Sequence, residues 1–113
     1  MEDRVRVSIL MDIYGKLLTE KQRNVMDLYY NDDLSLSEIS ELTFTSRQAV
    51  YDIIKRCNKL LDGYEDKIAL MDRIFKMRDA KKSILGELNK VKCADKDSKL
   101  ILKNIKKSII DNF

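Results

Sequence analysis

The chain has no histidine, no proline and no tryptophan, and only two cysteines and three glycines among its 113 residues. Without histidine, imidazole-based catalysis and the commonest zinc ligands are lost. Cys57 and Cys93 form no C-x-x-C pair and are too few for a disulfide framework. The absence of proline and the scarcity of glycine leave few helix breakers. With 36% charged and 44% hydrophobic residues, that balance predicts an all-α protein with a real core and long solvated helix faces. No apolar run approaches the roughly 18 residues that a membrane span needs. The start, MEDRVRVSIL, is too short and too charged for a secretory signal, so a cytoplasmic protein with no membrane partner is expected. The length fits one domain, or one small domain with an extension.

Chemistry-bearing groups are equally sparse. There is no glycine-rich phosphate loop, and no carboxylate is set among apolar neighbours so as to raise its pKa. Asp32-Asp33 reads as a turn with too few oxygen ligands nearby for a metal. Cys57 falls on an apolar helix face, as an inert buried thiol does. The expectation is a protein that is not an enzyme, with no catalytic residues, no metal and no cofactor.

What is present is concentrated in residues 35–61, SLSEISELTFTSRQAVYDIIKRCNKLL. Ser35 and Glu38 make an S-x-x-E capping box, and Ile39 and Leu42 follow at helical spacing. Phe44-Thr45-Ser46 breaks the pattern, and Ser46 is a good N-cap for a second helix. There Val50, Ile54, Cys57 and Leu61 line one face, while Arg47, Gln48, Tyr51, Asp52, Lys55 and Lys59 occupy the other. A short helix, a turn and a longer helix with Arg, Gln and Tyr at its start is the helix-turn-helix layout. An αα-hairpin with an ordinary solvated face has the same spacing. In the first reading Ser46 touches phosphate, Arg47, Gln48 and Tyr51 face base edges, and Lys55 and Lys59 hold the backbone.

Before this stretch, residues 3–18 read as one helix, with Val7, Leu10, Tyr14 and Leu17 or Leu18 inward. Thr19 and Gln22 form a second capping box, opening a helix that buries Val25, Met26, Leu28 and Tyr29 and leaves Tyr30 beside solvent. After it, Gly63 is expected to end the long helix in a left-handed conformation. A further helix from about residue 64 to 92 carries an apolar seam of Leu70, Ile74, Met77, Ile84, Leu88 and Val91, interrupted by Lys81. Asp95 or Asp97 then caps a last helix with Lys99, Lys103, Lys106 and Lys107 on its polar face. That face is either solvated surface or a phosphate contact. The expected division is a helix-turn-helix domain at 1–63 and a helical hairpin at 64–113 that pairs two copies.

Charge is divided along the same line. Residues 1–63 hold 9 Lys and Arg against 11 Asp and Glu, a net −2, and residues 64–113 hold 13 against 8, a net +5. Phosphate neutralisation supplies most non-specific DNA affinity, so a single copy should bind DNA weakly.

Residues 17–56 resemble region 4 of bacterial sigma factors, through L-T-x-x-Q-R at 18–23, S-x-x-E-I at 35–39 and S-x-x-A-V at 46–50. Tyr14-Gly15, LLTEKQRN, LYYNDD, SRQAVYD, IKR and LLDGYE together resemble the YlxM-like family over most of residues 5–70. That resemblance implies an all-helical DNA-binding regulatory protein, encoded beside signal recognition particle genes in Gram-positive bacteria. It makes duplex DNA the leading partner, and RNA or a protein of the signal recognition particle system the alternative. Sigma region 4 usually has Gly-Val before the Ser, where this chain has Phe44-Thr45. Phe44 then either holds a left-handed backbone itself or fills a neighbouring apolar pocket in a rearranged turn.

Overall fold

A computed structural model describes residues 3–113. Six α-helices follow one another: α1 Arg4–Tyr14, α2 Glu20–Tyr30, α3 Leu36–Thr43, α4 Arg47–Ile68, α5 Leu70–Asn89 and α6 Lys96–Asn112. A 3-10 turn, Gly15–Leu17, joins α1 to α2, and no strand occurs among the described residues, so the chain is all-α as expected. Side chains set the helix starts. Asp3 accepts from the Val5 N–H at 2.9 Å, and Thr19 with Gln22 and Ser35 with Glu38 form reciprocal capping boxes. Ser46 caps α4, and Asp95 rather than Asp97 caps α6. Each such cap stabilises its helix by about 1 kcal/mol. The Ser35 and Ser98 backbone N–H groups donate to Glu38 and Asp95 and hold those carboxyls below their ordinary values.

The chain forms two compact units, one ending at Met71 and one running Asp72–Phe113. In the first, α1, α2, α3 and α4 surround a core of Val7, Leu10, Met11, Tyr14, Leu18, Val25, Met26, Ile39, Val50, Ile54, Cys57 and Leu61. Fully burying one such side chain is worth about 1.5–3 kcal/mol. Of the Leu17-Leu18 pair only Leu18 goes inward, and Leu42 stays exposed although it continues the spacing of Ile39. Burial also pushes the Cys57 thiol up to about 11, consistent with an inert core sulfur.

Three boundaries differ from the sequence expectation. α1 stops at Tyr14 and gives way to the 3-10 turn, where a single helix through residue 18 was expected. α4 does not stop at Gly63 but runs to Ile68, and Ala69 takes the left-handed cap (φ 56°). The cause is tertiary: Glu65 continues the buried face of Ile54, Cys57 and Leu61, and Tyr64 packs against Tyr14 at 6.0 Å between ring centres. Burial on that face outweighs the roughly 1 kcal/mol helix penalty of glycine. α5 accordingly begins at Leu70, not near residue 64, and ends at Asn89.

The end of α4 is tied down by a buried hydrogen-bond set. Tyr14 Oη donates to Glu65 Oε1 at 2.7 Å and accepts from the Leu70 N–H at 3.0 Å. Glu65 Oε1 also accepts from the Met71 N–H at 3.0 Å. Two of the orphan N–H groups that open α5 are satisfied in this way. Burial, and then the bond to Glu65, raise the Tyr14 hydroxyl above its ordinary value of 10.0.

In the second unit no residue is buried. α5 and α6 meet there as an antiparallel hairpin, where Lys81 Nζ donates to the carbonyls of Ile110 (3.3 Å) and Phe113 (2.9 Å). An apolar cleft of about 160 Å³ lies between Met77, Ala80, Ile84, Ile109 and Phe113. Lys81 thus interrupts the apolar seam to serve the carbonyl end of α6.

Phe44 has φ 52° and is 97% exposed, so it fills no pocket and the left-handed reading holds. Phe44→Gly should leave stability unchanged or raise it by up to about 1 kcal/mol. A denaturant titration showing a clear loss would mean that the ring makes a stabilising contact. Tyr14→Phe should lower the melting temperature by several degrees with helicity retained. Because folded Tyr14 keeps its proton above pH 10.0, unfolding releases that proton and stability falls as pH rises past this value. The Tyr14→Phe variant should lose less stability over that range than the wild type; equal alkaline losses would refute the link.

Candidate nucleic-acid interface

The α3–α4 connection is closed by α3's own hydroxyls. The Phe44 N–H donates to the Ser40 carbonyl, as does the Thr45 N–H at 3.2 Å, and Ser40 Oγ donates to the Thr45 carbonyl at 2.5 Å. Thr43 Oγ1 donates to the Ile39 carbonyl at 2.7 Å. With its polar groups met, the turn tolerates a phenylalanine where glycine is cheaper. Ser46 Oγ then accepts from the Ala49 N–H at 3.1 Å and starts α4 with its first turn exposed.

Val50, Ile54, Cys57 and Leu61 anchor one face of α4 in the core, which turns Arg47, Gln48, Tyr51, Lys55 and Lys59 to the surface, where all are exposed. Arg47, Gln48 and Tyr51 line a shallow depression of about 510 Å³ with Leu36 of α3. Gln48 is not idle: its Nε2 donates to Asp52 Oδ1 at 3.1 Å, which places a carboxylate beside a candidate base reader. Lys59 is exposed further along α4 and lines neither this depression nor the next.

Tyr51 also borders a second hollow of about 490 Å³, with Tyr29 and Tyr30 from the end of α2 and Arg4 from α1. Lys55, Ile54 and Asn58 complete it on the α4 side. The Arg4 guanidinium lies 5.0 Å from the Tyr29 ring centre and 5.1 Å from that of Tyr30. It donates to the Tyr29 carbonyl and to Asp33 Oδ1, the latter at 3.2 Å. Asn58 Nδ2 donates to Tyr30 Oη at 2.8 Å. Sequence reasoning missed Arg4, Tyr29 and Tyr30 as neighbours of α4, and Asn58 as a residue of α4 that faces them. The only signal was the Tyr29-Tyr30 pair, whose second ring was expected at the solvent edge.

The other candidates lie elsewhere. Lys99, Lys103 and Lys106 line a shallow cleft of about 340 Å³ with Val91, Cys93 and Leu102, and Lys107 is exposed beside them. Along α5 and just after it, Leu70, Ile74, Met77, Ile84 and Val91 are exposed and Leu88 is half-buried. No helix among the described residues is long and apolar enough to cross a membrane.

Residues 1–106 match the family model described as "Putative helix-turn-helix protein, YlxM / p13 like". The chain is 57% identical to a UPF0122 protein of Clostridium kluyveri over 113 residues, covering the whole of both chains. It is 54% identical to one of Clostridium novyi over 112 residues, 97% of each chain. A third, from Clostridium acetobutylicum, is 50% identical over 111 residues, 96% of each chain. On a family match over residues 1–106 and end-to-end identity of this order, the chain belongs to the YlxM/p13-like family of helix-turn-helix proteins.

Proposed function

We propose that the chain is a DNA-binding regulatory protein that reads duplex DNA with the start of α4, in the manner of sigma factor region 4. One observation carries this reading. Arg47, Gln48 and Tyr51 are exposed together on the first turns of the helix that Ser46 caps, directly after the α3–α4 turn. Arginine suits guanine and glutamine suits adenine in the major groove, provided Gln48 exchanges Asp52 for a base. Ser46, Lys55 and Lys59 hold phosphates. The protein works in the cytoplasm, with residues 1–63 meeting DNA and residues 64–113 pairing two copies.

The pairing follows from the hairpin's lack of a core. Helices with no fully buried residue are marginal in water, and a second copy laid on the Leu70, Ile74, Met77, Ile84, Leu88 and Val91 stripe would supply further burial. A second reading rests on charge: residues 1–71 carry 10 basic against 13 acidic side chains, a net −3, and residues 72–113 carry 12 against 6, a net +6. That balance favours a non-catalytic partner of the signal recognition particle system that meets RNA or protein through Lys99, Lys103, Lys106 and Lys107.

Duplex binding should be weak at physiological salt and fall steeply as salt rises. Arg47→Ala should relax preference at one base pair by about 1–3 kcal/mol. Lys55→Ala should weaken every sequence alike. If neither changes duplex binding while neutralising Lys103, Lys106 and Lys107 abolishes RNA binding, the second reading replaces the first. Leu70→Asp with Ile74→Asp buries two charges in the proposed interface and should give a folded monomer in sedimentation. A wild-type monomer at high micromolar concentration would exclude pairing.

A further inference from the structure

The hollow beside α4 combines features that one ligand class satisfies together. Tyr51, Lys55 and Asn58 stand at successive turns of α4, about 6 Å and then about 4.5 Å apart along its axis, so they share one face. Tyr51 is 48% exposed and offers an open ring. Lys55 has no ion pair among the described residues, whereas Arg4 across the hollow is engaged with Asp33. Asn58 Oδ1 is covered and meets no donor, and it is the side-chain atom of which this is true among the described residues. A covered acceptor without a donor is disfavoured, so turning the Asn58 amide toward the hollow to meet a ligand's donor gains more than an ordinary hydrogen bond.

An apolar ligand would leave Lys55 and Asn58 unmet, and a bare anion would leave the rings unused. A planar base with N–H donors on its edge and a phosphate on its sugar answers all three. We propose that this hollow binds an unpaired nucleobase with its phosphate: the base stacks on Tyr51, its edge donates toward Asn58, and the phosphate meets Lys55. The base comes either from an unpaired position of a strand lying on α4 or from a free nucleotide. The proposal extends the reading of α4 as a nucleic-acid face and shares Tyr51 and Lys55 with it. It separates from that reading at Asn58, which has no part in duplex recognition.

The chain has no tryptophan, so emission from its five tyrosines is observable, and Tyr51→Phe identifies the share that stacking on Tyr51 quenches. The probes are adenosine monophosphate, inorganic phosphate, a short single strand, a blunt duplex, and the same duplex with one unpaired adenine. The single strand or the bulged duplex should bind about tenfold tighter than the blunt duplex at equal salt, as one stacked base would give. Binding should quench tyrosine emission and shift the Asn58 side-chain amide resonances. Asn58→Leu should return the bulged duplex to the affinity of the blunt one without changing the latter. If that variant fails to fold, Asn58→Ser is used, checked by its melt. Binding by the strand identifies a strand base as the occupant; binding by the monophosphate alone identifies a free nucleotide, and both support the site. The proposal is overturned if inorganic phosphate shifts Asn58 as much as adenosine monophosphate does, or if no probe shifts Asn58 at all. Failure of the duplex reading is seen separately, as blunt-duplex binding that ignores Arg47→Ala.

Discussion

The first unit depends on how a helix that begins at the surface is held at its far end. α4 starts at Ser46 in solvent and finishes at a buried carboxylate, Glu65, held by the Tyr14 hydroxyl and the Met71 N–H. A buried carboxylate is costly unless its lone pairs are met. Here the partners that meet it come from α1 and from the opening turn of α5, so the group that is expensive to bury also joins three helices. The Arg6–Asp62 pair, at 2.5 Å, adds a second tie between α1 and α4 near the surface. α4 is therefore tied at its far end by these bonds and held along its inner face by Val50, Ile54, Cys57 and Leu61, and the side chains on its outer face inherit their positions from both.

Much of this could be seen in the residues. Capping signals at Thr19, Ser35 and Ser46 mark helix starts because a short polar side chain has few better uses than the orphan N–H groups two or three residues on. The inward faces of α2 and α4 follow from spacing alone. What could not be seen depends on contacts between distant segments. Gly63 looks like a helix end to any local rule, and only the burial of Glu65 against Tyr14 explains why the helix passes through it. The same holds for the hollow: nothing near Arg4 or Asn58 in the chain says that they meet beside Tyr30. The candidate base readers were legible for the opposite reason, since their exposure is the complement of a buried stripe within one helix.

Surface chemistry around α4 is mixed. Asp52 holds Gln48, and Asp33 holds Arg4, so cations and amides on this face are partly engaged by carboxylates when no ligand is present. Exposed pairs of this kind are worth little and exchange readily. They lower affinity for phosphate in general more than they lower affinity for a ligand that offers better hydrogen bonds. A face built in this way favours selectivity over strength. The acidic first unit adds to that bias, because its own field does not draw polyanions from a distance.

Lys81 has a consequence for the hairpin beyond its two bonds. An ammonium group in an apolar stripe is acceptable only where acceptors lie within its reach, and here these are the carbonyls that close α6, Ile110 and Phe113. Slide α6 by one turn against α5 and the ammonium loses both carbonyls and is left with water alone beside Met77, Ile84 and Ile109. The apolar residues of the two helices are similar enough to pack in several offsets. The lysine is not interchangeable in that way, and it acts as a pin that makes one alignment of the hairpin distinct from its neighbours.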